Sequence, residues 1–207
     1  MLQLYYFTCM RNKKAIILFT KNPELGKVKT RLAKTIGNEK ALHIYKKLLV
    51  HTQEIVTPVQ ADKFVFYSDF ITKDDQWDTA SFHKKVQYGT DLGTKMANAF
   101  QEIFKLGYQS VCIIGSDCYE LNTQGIEEAF SALEKNDTVI GPTFDGGYYL
   151  LGMNAYQEAL FQDKTWSTDS VYTDTIRDFK NLRLSYFDLE KLSDIDEEQD
   201  LPVIWKT

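Results

Sequence analysis

The sequence predicts an α/β fold, a mostly parallel sheet with helices on both faces. As far as Gly141, short apolar segments alternate with amphipathic segments of helical period, which is the pattern of parallel strands joined by crossover helices. After Gly141 this alternation of strand and helix patterns ends. Pro142 and a Gly-Gly pair interrupt the pattern, and an apolar segment follows without an intervening helix. We therefore expect a smaller antiparallel C-terminal portion.

The composition is that of a globular protein. The chain has 207 residues and a formal net charge of -5, which disfavours general binding to nucleic acid or to an anionic membrane. Its three cysteines are scattered and include no C-x-x-C pair, which argues against a disulfide framework and a zinc site. We expect a cytoplasmic protein that acts on small molecules, and the sequence does not indicate its oligomeric state.

The first residues predict an extension rather than part of the fold. Residues 1–9 are apolar but too short to span a bilayer, and they lack the basic start and the cleavage site of a signal peptide. Met10 is followed by basic residues and a strand, so we expect it to be the natural start. We predict an extension over residues 1–14 and a single domain over 15–207, with halves at 15–141 and 142–207.

Each element of the first half has its own signal. Apolar runs predict strands, period-3.6 faces predict helices, and Gly or Pro ends them. In order we predict a strand at 15–20, a basic loop running into a helix near Lys29, a helix from an N-cap at Asn38 to Pro58, a strand at 63–68, a surface loop at 69–83, a brief strand at 86–88, a helix from Leu92 to Gly107 and a buried strand at 110–114.

The same signals continue to the C-terminus. We predict a helix at 123–134, a strand at 138–140, the non-parallel strand at 148–151, a helix at 168–179 and a strand at 184–187. The strand at 148–151 is expected to be antiparallel or to lie on a second, smaller sheet.

The first candidate site is the basic loop at residues 21–32. It directly follows the first strand, and ligands of open α/β sheets lie beyond the carboxyl ends of strands. Gly26 allows an unusual backbone turn, Lys21 and Lys29 add positive charge, and Arg31 can hold a phosphate through two hydrogen bonds. The spacing is not that of a Walker A loop. A solvated basic loop has the same composition.

The second and third candidates are aspartates beside glycines. Asp117 ends the 110–114 strand in a Gly-Ser-Asp-Cys segment, where a carboxylate can anchor Mg²⁺ or Mn²⁺ on a diphosphate or cap a turn. Asp145 precedes Gly146 and Gly147, a pair that suits close approach of a ligand or another backbone. Asp145 is equally typical of a hairpin turn.

Two further segments carry weaker signals. Gly89 and Gly93 flank the start of a helix that can pass near a base or phosphates, although a plain helix start has the same pattern. Asp194 and Asp196 would face the same side of an extended chain, although an acidic helix start explains them as well.

Six segments together resemble a family of bacterial GT-A-type glycosyltransferases, most of which lack an assigned substrate. The matching segments are KNPELGKVKTRLAKTIG from Lys21, QYGTDLGTKM from Gln87, GSDCYELN from Gly115, GPTFDGGYYLLGM from Gly141, TWSTDSV from Thr165 and DIDEEQDL from Asp194. The family is similar in fold to molybdenum-cofactor guanylyltransferases and to nucleotidyltransferases that activate small phosphorylated acceptors.

The resemblance implies a Rossmann-like nucleotide-binding half at 15–141 and an acceptor side at 142–207. It implies that the KTRL loop from Lys29 wraps the nucleotide phosphates. We predict nucleotide or phosphate contacts from Lys21, Gly26, Lys29, Thr30, Arg31, Gly89, Leu92 and Gly93. The resemblance implies an acceptor side formed by Gly146, Gly147, Tyr148, Trp166 and Ser167. It implies that Asp117 stands where GT-A enzymes carry their metal-binding aspartate motif. We predict catalytic roles for Asp117 and Asp145, and metal ligands among Asp117, Asp145 and Asp196.

The sequence departs from the family at two points. Tyr119 stands where relatives usually have proline, and Asp117 lacks the second aspartate of a D-x-D motif, so the second metal ligand stays open between Asp145 and Asp196. We predict Mg²⁺- or Mn²⁺-dependent glycosyl transfer from a nucleoside diphosphate-sugar to a small-molecule acceptor. The alternatives are nucleotidyl transfer to a phosphorylated acceptor with release of pyrophosphate, and a non-catalytic nucleotide-sugar-binding module.

Overall fold

The computed structural model describes residues 13–206. The expectation that Met10 is the natural start concerns residues that lie outside this range. Within it, no helix is both long enough and apolar enough to cross a bilayer.

A single seven-stranded sheet forms the centre of the molecule. The strands are β1 (Lys14–Thr20), β2 (Asp62–Tyr67), β3 (Phe82–Val86), β4 (Ser110–Ile114), β5 (Thr138–Pro142), β6 (Tyr148–Met153) and β7 (Tyr186–Asp188), in the spatial order β3-β2-β1-β4-β6-β5-β7. β6 runs antiparallel to its neighbours β4 and β5, and the other four pairings are parallel. The predicted fold class is confirmed. The antiparallel strand lies within the main sheet rather than on a second one.

The described residues form five α-helices, and all but the first pack against the sheet. They are α1 (Thr30–Ile36), α2 (Asn38–Val56), α3 (Leu92–Lys105), α4 (Thr123–Ala132) and α5 (Val171–Asn181), with short 3-10 helices at Glu158–Phe161, Glu198–Asp200 and Val203–Trp205. Side chains of β1 alternate between two apolar layers, as the period of a strand requires. Ile16 packs in one layer with residues of α2 and α4, and Ile17 packs in the other with residues of α3 and α5.

Three local predictions were wrong. Asn38 is the first residue of α2 rather than its N-cap, because Gly37, with φ 83°, makes the turn from the short α1 into α2. The third strand spans Phe82–Val86 rather than 86–88, because pairing with β2 sets its register. The surface loop at 69–83 is not wholly exposed. Trp77 is only 2% exposed, and its ring lies 5.1 Å from that of Phe82. It belongs to the same apolar layer as residues of β1 and α2, which are distant in the chain and give no local signal for its burial.

Topology places the candidate segments together. β1 and β4 are adjacent and parallel, so the loops after Thr20 and after Ile114 leave the same edge of the sheet. β6 is antiparallel beside β4, and its first residues therefore lie at that edge too. This edge is where open α/β sheets bind ligands.

Candidate active site

A cleft of about 600 Å³ opens at this edge of the sheet. Most of the residues predicted from the sequence line it: Lys21, Lys29, Thr30, Arg31, Leu92, Asp117, Asp145, Gly147, Tyr148, Trp166, Ser167 and Asp196. It also contains residues that the sequence did not single out as site residues: Thr20, Tyr45, Gln87, Ser116, Asp169 and Asp194. Gly26, Gly89, Gly93 and Gly146 do not line the cleft.

Tyr45 of α2 fixes the two strand ends that form the floor of the cleft. Its hydroxyl accepts a hydrogen bond from the backbone N–H of Lys21 at 2.8 Å and lies 3.2 Å from Oγ of Ser116. Burial raises the pKa of Tyr45 to about 12, so the hydroxyl stays neutral at physiological pH. The loops after β1 and β4 are thereby held in one arrangement.

Lys29 and Arg31 meet the carboxylates inside this cleft. The Lys29 ammonium donates to Oδ2 of Asp117 at 2.9 Å and to Oδ1 of Asp196 at 3.3 Å. Arg31 donates to Oδ2 of Asp196 at 2.5 Å. The basic loop and Asp117 were separate candidates in the sequence, and the geometry brings them into direct contact through Lys29.

The backbone at Lys29 directs this contact. Lys29 precedes α1 in the left-handed conformation, φ 46° and ψ 47°, which non-glycine residues rarely adopt. Its side chain is only 5% exposed, whereas that of Arg31 is 62% exposed. Strained backbone conformations concentrate at functional sites, where the surrounding structure holds them in place.

The ion pairs set the charge states. Burial would lower the pKa of Lys29, but the carboxylates of Asp117 and Asp196 outweigh it and raise the pKa. Burial would raise the pKa of Asp117, but the Lys29 ammonium outweighs it and holds this pKa below its usual range. Both groups are therefore charged at neutral pH.

Asp194 is the most perturbed carboxyl of the cleft. Burial, together with the charges of Asp117, Asp145 and Asp196, raises its pKa to about 8 although Lys29 opposes the shift. Its Oδ1 is buried and receives no hydrogen bond in the described structure. Ile195 turns inward, 2% exposed, and its N–H donates to the carbonyl of Asp117, which anchors the segment beside the strand end. A signal for Asp194 existed in the alternation of the Asp-Ile-Asp segment.

Asp145 lies in the loop between β5 and β6. Its Oδ1 accepts hydrogen bonds from Oγ1 of Thr143 at 2.5 Å and from the N–H of Gly147 at 3.0 Å. Asp145 therefore forms the local turn that the sequence also allowed. No hydrogen bond or ion pair joins it to Asp117 in the described structure.

The glycines shape the walls. A Cβ on Gly146, which has φ 90°, would lie 2.1 Å from the carbonyl oxygen of Asp169, so the glycine permits two backbones to approach. A Cβ on Gly93 would lie 2.1 Å from Nε1 of Trp166. Both glycines therefore position the 165–170 segment, which carries Trp166 and Ser167 into the cleft. Gly26 and Gly89 have positive φ, at 76° and 139°, which suits glycine.

A smaller cavity of about 290 Å³ adjoins the cleft and shares four lining residues with it, Arg31, Asp145, Asp194 and Asp196. Glu197 and Asp200 add further carboxylates, and Phe144, 67% exposed, lies on its wall. Among residues 13–206, Arg31 is its one basic lining residue.

The carboxylates of the cleft are oxygen ligands of the kind that Mg²⁺ and Mn²⁺ prefer. Asp194 combines a buried oxygen without a donor and a raised pKa, and both features are relieved when a cation binds nearby. Within residues 13–206, however, no three His, Cys, Asp or Glu side chains are arranged as a ready metal site. The residues fit a metal that takes some ligands from the protein and the rest from phosphate and water, as Mg²⁺ usually does.

Known structures share this architecture. A protein from Desulfovibrio desulfuricans G20, described as a proposed nucleotide-diphospho-sugar transferase, is 32% identical; the match covers 89% of this chain and 82% of that one, with a TM-score of 0.81. The inositol-1-phosphate CTP transferase from T. maritima is 10% identical, with 94% of each chain covered and a TM-score of 0.58. The 4-diphosphocytidyl-2C-methyl-D-erythritolsynthase from Anaerococcus prevotii DSM 20548 is 12% identical, with 94% of this chain and 95% of that one covered and a TM-score of 0.58.

The two distant likenesses show a common fold alone. Comparison with curated proteins gives no significant match. A protein-family model, described as "uncharacterized protein conserved in bacteria" (DUF2064), matches residues 51–168, more than half of the chain. The chain therefore belongs to the DUF2064 family, and it has the nucleotide-diphospho-sugar transferase fold.

Proposed function

We propose that the protein is a metal-dependent transferase that moves a glycosyl group from a nucleoside diphosphate-sugar to a hydroxyl-bearing acceptor. The observation that carries the proposal is the single cleft in which Lys29 and Arg31 face Asp117 and Asp196. A diphosphate needs cationic side chains, and its metal needs carboxylates, within a few ångströms of each other. The description of the Desulfovibrio desulfuricans relative supports a nucleotide-linked substrate.

Residues of the 15–141 half would hold the nucleotide. Gln87 donates its side-chain amide to the carbonyls of Phe66 at 2.9 Å and Thr20 at 3.2 Å. With both amide hydrogens engaged, its Oε1 is left as a fixed acceptor beside the cleft, suited to an N–H on a base edge. Leu92 and Met96 supply apolar surface next to it.

Lys29 and Arg31 would bind the diphosphate, with Lys21 and Thr30 nearby. Asp117 and Asp194 are the residues best placed to hold Mg²⁺ or Mn²⁺, and Asp196 and Asp145 are further candidates. The bound ion would supply positive charge against the leaving phosphate. Both cationic side chains lie where negative charge develops as the glycosyl bond breaks, so they stabilise the departing diphosphate.

The smaller cavity would receive the acceptor. Its lining has one basic residue and several carboxylates, so a phosphorylated acceptor would meet repulsion there, whereas hydroxyl groups find acceptors. Asp145 would orient the acceptor hydroxyl or take its proton, and Tyr148 and Trp166 would form the adjoining wall. This charge pattern favours glycosyl transfer over nucleotidyl transfer to a phosphorylated acceptor.

The test is a screen of nucleoside diphosphate-sugars and triphosphates, with and without Mn²⁺, for release of nucleoside diphosphate or pyrophosphate. We expect Mn²⁺-dependent release of nucleoside diphosphate that hydroxyl acceptors accelerate. Asp117→Ala should lower turnover by about 100-fold or more, since such charge stabilisation is typically worth that much. Asp74→Ala, at an exposed position outside the cleft, is the matched control.

Three outcomes contradict parts of the proposal. Pyrophosphate release from a triphosphate would assign nucleotidyl transfer instead. Nucleotide binding without turnover of any substrate would indicate a binding module. Undiminished metal-dependent turnover in Asp117→Ala would show that the metal lies elsewhere.

A further inference from the structure

Two charged pairs of the cleft already neutralise one another. The two cations proposed to bind the diphosphate are each paired with a carboxylate proposed for metal: Lys29 with Asp117 at 2.9 Å, and Arg31 with Asp196 at 2.5 Å. In this arrangement neither a metal ion nor a phosphate meets an unpaired partner at these positions. Binding either one requires that an existing ion pair be exchanged.

The Lys29 pair is the more restrictive of the two. The Lys29 side chain is 5% exposed and its ammonium lies between Asp117 and Asp196, whereas Arg31 is largely exposed and free to move into solvent. Mg²⁺ binds oxygen ligands at about 2.0–2.1 Å, so at Asp117 it would lie close to the ammonium. The two cations repel each other in this poorly solvated space. Lys29 must leave before the metal binds tightly.

We propose that Lys29 is a built-in counter-ion that takes the place of the divalent metal on Asp117 until a nucleotide diphosphate draws its ammonium away. The inference rests on the proposed function for the identity of the ligand. It makes metal and nucleotide binding interdependent: the phosphates gain Lys29, and Asp117 becomes available to the metal. By linkage each ligand raises the affinity for the other by the same factor.

The side chain of Lys29 is built for this exchange. Its backbone is held at the start of α1, while four methylene groups carry the ammonium and allow it to swing without movement of the helix. Lys21 provides the contrast. It lines the same cleft and its charge also lowers the pKa of Asp117, yet the described structure shows no ion pair between them. Lys21 therefore contributes positive electrostatic potential at Asp117 without occupying the position of the Lys29 ammonium.

The test measures Mn²⁺ binding to the nucleotide-free protein, following free Mn²⁺ by electron paramagnetic resonance. We expect Lys29→Met to bind Mn²⁺ at least tenfold more tightly than the wild type. Lys21→Met, which removes the same charge without vacating Asp117, should change the affinity by less than threefold. Equal affinity in the wild type and Lys29→Met, comparable gains in both variants, or no Mn²⁺ binding in any of them would overturn the proposal.

A second measurement tests the coupling. Adding UDP, GDP, CDP or ADP, with correction for Mn²⁺ bound by free nucleotide, should tighten Mn²⁺ binding to the wild type more than to Lys29→Met. Equal tightening in both proteins contradicts the exchange. These readouts need no turnover, so a protein that shows the Lys29 effect but transfers no sugar would retain this inference and lose the proposed function.

Removing Lys29 leaves Asp117 unpaired and can destabilise the fold. Lys29→Gln keeps a hydrogen-bond donor beside Asp117 without the charge, and we expect the same gain in Mn²⁺ affinity from it. If Lys29→Met folds only when Mn²⁺ is present, as judged by circular dichroism, the metal has replaced the missing ammonium and the proposal is supported. If Lys29→Gln is folded and binds Mn²⁺ as the wild type does, the proposal fails.

Discussion

Gly93→Ala should displace the Trp166 side chain, which lines the cleft. The new Cβ would lie 2.1 Å from Nε1 of Trp166, and ordinary contacts begin at 3.4 Å, so the indole must recede by the difference of about 1.3 Å. Overpacking of this kind costs about 1–3 kcal/mol, and the helix propensity of alanine offsets at most about 1 kcal/mol. We expect a net loss of about 1–2 kcal/mol in the free energy of unfolding.

For a chain of this size, that loss lowers the melting temperature by roughly 2–8 °C. Displacement of a lining side chain by about 1 Å can cost up to about 100-fold in rate, so transferase turnover should fall by about 10- to 100-fold. Differential scanning calorimetry and the nucleoside diphosphate release assay measure the two effects. Gly125→Ala is the matched control, a glycine in the first turn of α4 whose Cβ would meet Leu121 at an ordinary 3.4 Å. It should leave both quantities near or above the wild-type values.

The double variant isolates the cause. In a Trp166→Ala background the clash is absent, so Gly93→Ala should become neutral or stabilising, and the two substitutions should be strongly non-additive. If Gly93→Ala melts like the wild type, or destabilises the Trp166→Ala protein equally, the close approach of α3 and the indole is not what the structure indicates.

Two further substitutions test buried charges. Lys84→Met leaves Asp75 without its buried ion-pair partner at 2.7 Å, and we expect the free energy of unfolding, measured by urea denaturation, to fall by about 3–5 kcal/mol. Lys14→Met, which breaks the exposed pair with Glu134, should change it little. Similar denaturation midpoints for the two variants would contradict this expectation. The pKa of Asp194 is about 8 in the native state and about 4 in the unfolded chain. Its contribution to the free energy of unfolding is therefore fully present below about pH 4 and is lost as the pH rises to about 8. In chelator, the melting temperature of the wild type should therefore fall more between pH 5 and 8 than that of Asp194→Asn, and parallel curves would show that Asp194 titrates normally.

The local sequence pattern was sufficient to predict the helices and strands and the edge of the sheet at which the candidate site lies. The apolar run at 110–114 and the amphipathic period of α3 depend on neighbours in the chain, and both were predicted almost to the residue. Asp117 and the basic loop were placed at the same edge because parallel strands end on the same side. These are consequences of periodicity and strand direction, which a sequence displays directly.

Tertiary structure decided what local pattern cannot encode. The burial of Trp77, the close packing of Gly93 under Trp166 and the raised pKa of Asp194 each depend on groups that are distant in the chain. The sequence by itself determined which residue types gather beyond the strand ends. Only the fold decided that Lys29 would pair with Asp117, because an ion pair between residues 88 positions apart follows from the pairing of β1 with β4 and from the left-handed backbone at Lys29, and not from either segment alone.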